Sequence, residues 1–78
     1  MLYNPRYQAL REELVAARVN AGLTQVALAL KLNRAQSFIS KVEIGERYVD
    51  VLDLIAWCEA TQADAGAVVR KLQSVQVR

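Results

Sequence analysis

The stretch Leu23–Arg47, LTQVALALKLNRAQSFISKVEIGER, decides the fold. Its apolar residues fall into two short helical sets. Val26, Leu28, Ala29 and Leu32 fit the first, with Leu28 and Leu32 one turn apart, and Phe38, Ile39 and Val42 fit the second. Between them stands Asn33, one of the few non-glycine residues that tolerates the left-handed backbone of a tight interhelical turn. Thr24 is placed to cap the first helix and Gly45 to stop the second. Helices this short are not stable alone, so other helices must pack on them. The spacing predicts a two-helix unit over about residues 24–44.

The outward residues of the second helix carry the functional signal. If Ile39 and Val42 face the core, then Gln36, Ser37, Ser40 and Lys41 form the opposite face. Glutamine can pair bidentately with adenine, lysine can reach guanine acceptors, and serine can meet bases or phosphates. The same residues also suit a merely solvated face.

The chain resembles the phage-repressor-like (Cro/Xre) helix-turn-helix family. The matching residues are Arg18, Gly22-Leu23-Thr24-Gln25, Leu28-Ala29, Gln36-Ser37, Ile39-Ser40-Lys41, Glu43, Gly45 and Arg47, and the likeness runs from about Leu10 to Cys58. It implies an all-α, compact five-helix domain of the lambda-repressor-like DNA-binding fold, with the second helix of the pair in the major groove. Gln36, Ser37 and Lys41 would then read bases. Gln25, at a helix N-terminus where free N–H groups favour an anion, would hold a phosphate, with Arg34, Ser40 and Arg47 as further phosphate contacts. The resemblance also implies that Arg18 pairs with Glu43. Four positions depart from the family pattern: Asn33 stands where glycine is usual, Arg34 for an apolar residue, Ala35 for a capping serine or threonine, and Phe38 for a small polar residue. Arg34 fits a phosphate contact or a solvated arginine, Ser40 a phosphate or the core edge, and Phe38 the core or a thymine methyl.

The rest of the chain reads as three more helices. Asn4 caps a first helix begun by Pro5, in which Tyr7, Leu10, Leu14 and Ala17 share a face and Gly22 marks the end. Asp50, followed by Asp53, caps a fourth with Val51, Leu54, Ile55 and Cys58 on one face and Trp57 beside it. Asp64 caps a fifth that runs to about Ser74, with Val68, Val69, Leu72 and Val75 on its apolar side. Part of that surface should stay uncovered in so small a domain, so Trp57, Val68, Val69 and Leu72 are the expected homodimer contact. The tail VQVR would extend that contact as a strand or fray.

Composition narrows the function. The 78 residues suffice for a single domain, 1–78, and 54% are apolar, too many for a disordered chain. There is one cysteine and no histidine, which excludes an internal disulfide and Ser-His chemistry and leaves no usual zinc ligand set. No catalytic residue, metal or cofactor is expected, and the chain does not read as an enzyme. No signal peptide or membrane-spanning stretch is visible, which points to the cytoplasm. A net charge of +2 permits nucleic-acid binding without demanding it. The expected function is a sequence-specific transcriptional regulator, of repressor type, that binds a palindromic operator in double-stranded DNA as a homodimer. The alternative is an antitoxin or accessory module whose main partner is a second protein chain.

Overall fold

Side-chain caps set where the helices begin. In the computed structural model, which describes residues 4–76, the order is α1 (Pro5–Asn20), α2 (Gln25–Leu32), α3 (Gln36–Glu43), α4 (Val51–Thr61) and α5 (Ala65–Gln73). Asn4 accepts the Arg6 N–H at 2.8 Å, with Pro5 at the first helical position. The Thr24 hydroxyl accepts the Ala27 N–H at 3.0 Å, and the Asp64 carboxylate accepts the Ala67 N–H at 3.1 Å. Asp50 and Asp53 cap each other's backbone N–H groups, a closed capping box at the head of α4. α3 begins at Ala35 with no side-chain cap.

α1 to α4 are each followed by a left-handed residue, whereas α5 ends on Ser74 in the right-handed region. Asn33 has φ 54° after α2, and Gly45 has φ 82° after α3. The backbone angle is what calls for glycine at Gly45; a Cβ there would meet only the guanidinium of Arg11, the far end of a flexible side chain that can swing aside. α4 ends on Gln62, at φ 59°, a left-handed cap that no sequence signal marked.

α1 is the backbone of the assembly. It packs against α3, α4 and α5, while α2 packs against α3 and α4. Leu10 and Leu14 of α1 meet Leu28 and Ala29 of α2, Phe38, Ile39 and Val42 of α3, and Leu54, Trp57 and Cys58 of α4; Val68 of α5 closes the cluster. At one end the Tyr7 hydroxyl accepts the Val49 N–H, and its ring lies edge-on to Tyr48 with centroids 4.8 Å apart. At the other, Lys71 reaches Glu13 at 2.9 Å and ties α5 to α1.

Several expectations are corrected here. Trp57 is not surface for a partner: it is 0% exposed, and its indole N–H donates to the Leu14 carbonyl at 3.0 Å. Val68, 7% exposed, is likewise core, which leaves Val69 exposed and Leu72 half-buried on that side of the molecule. The buried side of α4 is Leu54, Trp57, Cys58 and Thr61, and Val51 and Ile55 point outward instead. An apolar helix offers several helical stripes, and the bulkiest residue won the core. On α2, Val26 is exposed, apart from Leu28 and Ala29. Val75 and Gln76 form no strand, and the remaining tail residues Val77 and Arg78 lie outside the described residues.

Candidate nucleic-acid interface

α3 is amphipathic for a simple reason. Phe38, Ile39 and Val42 fall on its inner side and are buried; Gln36, Ser37 and Lys41 fall on the other and are exposed, with Ser40 half-buried between them. Its first residues follow the Asn33 turn, so the N-terminal end of α3 projects beside the start of α2.

A continuous hydrogen-bond chain fixes the top of this face. The Arg18 guanidinium grips Glu43 with two bonds, Nε to Oε2 at 2.7 Å and Nη2 to Oε1 at 3.0 Å, and its Nη1 donates to the Leu23 carbonyl at 2.9 Å. Gln25 Nε2 donates to Glu43 Oε1 at 2.9 Å, and Gln36 Nε2 donates to Gln25 Oε1 at 3.1 Å. The direction of the chain follows from its root. A carboxylate only accepts, so Gln25 turns its NH2 inward and its oxygen outward. That oxygen takes one N–H of Gln36. Gln36 keeps its carbonyl oxygen and a second N–H for a ligand, an acceptor beside a donor. Adenine presents the complementary pair, N6–H and N7, in the major groove.

Phe38 has a second role besides the core. The Arg34 guanidinium lies 3.8 Å from its ring centroid and that of Arg47 lies 5.0 Å from it. Arg34 also pairs with Asp53 at 2.9 Å. The two arginines expected at phosphates are thus gathered around one aromatic ring at the edge of α3.

The structure therefore brings together Arg18, Gln25, Gln36 and Glu43, and separately Arg34, Phe38 and Arg47. Ser37 and Lys41 stand exposed on the same helix without a side-chain partner among the described hydrogen bonds. Sequence reading missed the link from Gln25 to Gln36, the Arg34–Asp53 pair, and the contact of Arg11 with Gly45. The first had a signal, since two glutamines precede the apolar sets of the two helices; the others join residues with no periodic relation.

Burial, and secondarily Asp64, pushes the Cys58 thiol up, so it stays protonated at neutral pH. Among the described residues no group of carboxylates and thiols is placed to hold a metal, and no helix is long and apolar enough to cross a membrane.

Comparison with known proteins agrees with this geometry. The helix-turn-helix family model matches residues 14–66. An XRE-family like protein from Pseudomonas syringae pv. tomato str. DC3000 is similar at 45% identity, with a TM-score of 0.83 over 88% of this chain and 84% of that one. The wild-type restriction-modification controller protein C.Esp1396I has a similar structure, with a TM-score of 0.77 over 87% of this chain and 90% of that one; at 20% identity this likeness shows the fold alone. No curated protein matches the chain. With the matched region holding the whole two-helix unit and its Arg18–Glu43 brace, the chain belongs to the helix-turn-helix family, is of Cro/Xre type, and is a DNA-binding transcriptional regulator.

Proposed function

We propose that this regulator reads a palindromic operator as a homodimer and represses by occupying it, in the cytoplasm where the DNA lies. α3 enters the major groove. Gln36 reads adenine, Lys41 a guanine acceptor, and Ser37 an adjoining base edge or phosphate. Arg34, Arg47, Ser40 and the N-terminus of α2 with Gln25 fix the duplex backbone. Gln25 already donates to Glu43, so its remaining amide N–H is the one offered to phosphate.

The observation that carries this reading is the braced amide of Gln36. A base-reading side chain must be held before the base arrives, and Gln36 is held through Gln25 and Glu43 by a two-point ion pair.

The test is selection from random duplex DNA with the purified protein, repeated with Gln36→Ala and Lys41→Ala. An enriched inverted repeat that loses preference at one position per half-site supports the reading, with each variant costing about 1–3 kcal/mol on the selected site. Equal loss on selected and random DNA overturns base reading by these residues. The exposed apolar side of α4 favours one other reading, an accessory module that holds a second protein; a stoichiometric second chain on co-purification, together with no enriched motif, would establish it instead.

A further inference from the structure

Arg34 has a partner that the arginine beside it lacks. Its Nη1 donates to Asp53 Oδ1 at 2.9 Å while its guanidinium lies 3.8 Å from the centre of the Phe38 ring. Arg47 approaches the same ring at 5.0 Å and has no carboxylate among the described ion pairs. Asp53 is itself fixed. Its Oδ2 accepts the Asp50 N–H at 3.4 Å, and its own N–H donates to Asp50 Oδ1 at 2.7 Å, closing the cap of α4.

We infer that Asp53, acting through Arg34, sets how sharply the protein separates its operator from other DNA. The inference rests on the reading of α3 as the base-reading helix and of Arg34 as a phosphate contact. It adds a positioning residue on α4 that touches neither base nor phosphate. The pair does little for folding: its side chains are 36% and 20% exposed and share one hydrogen bond. Its effect is on where positive charge is offered. A phosphate at Arg47 meets a full cation, whereas one at Arg34 meets a cation already balanced by a carboxylate. The same carboxylate offsets the repulsion between two guanidinium groups gathered on one ring.

Sequence-independent binding is drawn by charge, and binding in register also by groups held in place. Asp53 lowers the first and supplies the second. It occupies one of five guanidinium N–H groups and leaves the others to a phosphate that arrives where ring and carboxylate hold them. On random DNA no base contact fixes that register, so the braced arginine gains little. Freeing Arg34 should steepen the salt slope on random DNA by about 0.9, which from 1 M down to 0.15 M salt is roughly a fivefold gain in affinity. At the operator the gain is offset by lost placement.

The test titrates a selected operator and random duplex across a salt series with the full chain and its variants. Asp53→Asn removes the charge but keeps an oxygen for the Asp50 N–H, and a thermal melt checks that the cap holds. This variant should bind random DNA about fivefold tighter and the operator within about twofold of wild type, so discrimination falls. Asp53→Glu keeps the charge and suits the same cap position, and should restore discrimination. Asp50→Asn removes a charge from the same end of α4 without touching Arg34, and should leave discrimination as it was. Arg34→Met leaves the cap intact and strands the Asp53 charge, and should weaken random-DNA binding; adding Asp53→Asn should return it to within about twofold of wild type.

An equal gain on operator and random DNA in Asp53→Asn, or the same loss of discrimination in Asp50→Asn, makes Asp53 one more negative charge and overturns the inference while base reading stands. A wild-type chain that selects no motif overturns both.

Discussion

Removing Arg18 while leaving Glu43 isolates a carboxylate inside the domain. Only 15% of the Arg18 side chain and 7% of the Glu43 side chain are exposed, so the pair is nearly dry. Breaking a fully buried pair costs about 3–5 kcal/mol, because the surviving charge loses its counter-ion and cannot recover its water. Glu43 keeps the Gln25 N–H and a sliver of solvent, which lowers the expectation for Arg18→Met to roughly 2–3 kcal/mol. In a domain of this size each kcal/mol moves the midpoint by about 4–8 °C, so Arg18→Met should melt about 10–20 °C below wild type. Urea unfolding and a thermal melt both read it. The diagnostic variant is the double one. Arg18→Met with Glu43→Met takes away the stranded charge as well, and should return to within about 1 kcal/mol of wild type. In the double variant stability would recover but base preference would not, since there Gln25 loses its Glu43 anchor. A single variant that costs under ~0.5 kcal/mol, or a double variant less stable than the single, refutes the account of a dry, mutually dependent pair.

Trp57→Phe keeps an aromatic core and leaves the Leu14 carbonyl its helical partner, but loses the indole hydrogen bond and the volume of the second ring, and should cost about 1–3 kcal/mol in a urea melt. Since this is the sole tryptophan, the wild-type emission should be blue-shifted and move red in one step with unfolding. Phe38→Leu keeps the core filled to within about 1.5 kcal/mol but removes the ring under Arg34 and Arg47; DNA affinity should fall alike on all sequences, with a shallower salt slope if those arginines meet phosphate. Burial pushes the Tyr7 phenol above its usual 10.0, against the Val49 N–H that favours its ionised form. The folded state thus prefers the protonated ring, so its stabilisation is complete below about pH 10 and is lost as pH rises through the raised value. Tyr7→Phe should be less stable at pH 7 by about 1 kcal/mol but lose less between pH 9 and 11 in a pH series of melts.

Local chemistry was the legible part of this sequence. Asn4, Thr24, Asp50 and Asp64 each cap a helix where a short polar side chain precedes an apolar set, and Asn33 turns left where the spacing leaves room for nothing else. The face of α3 was legible too, because three apolar residues among five polar or charged ones define only one inner side. α4 was not. Val51, Leu54, Ile55 and Cys58 make a regular stripe, yet so do Leu54, Trp57, Cys58 and Thr61, and only the space left by Leu14 decides between them. Arg34 was ambiguous for a different reason. Its partners, Asp53 and Phe38, sit on separate helices, and a long flexible side chain chooses among such partners only once the fold exists.

Cys58 gives the molecule an internal clock. Its thiol is the only one in the chain, follows Trp57 on α4 in the core and stays protonated in the native state. A thiol reagent or a cellular oxidant can reach it only through the open form, where it regains an ordinary thiol's reactivity. Labelling rate therefore counts openings rather than surface encounters. Operator DNA that binds only the closed form should slow the clock in proportion to occupancy, so one cysteine reports both folding and DNA binding without a probe being added.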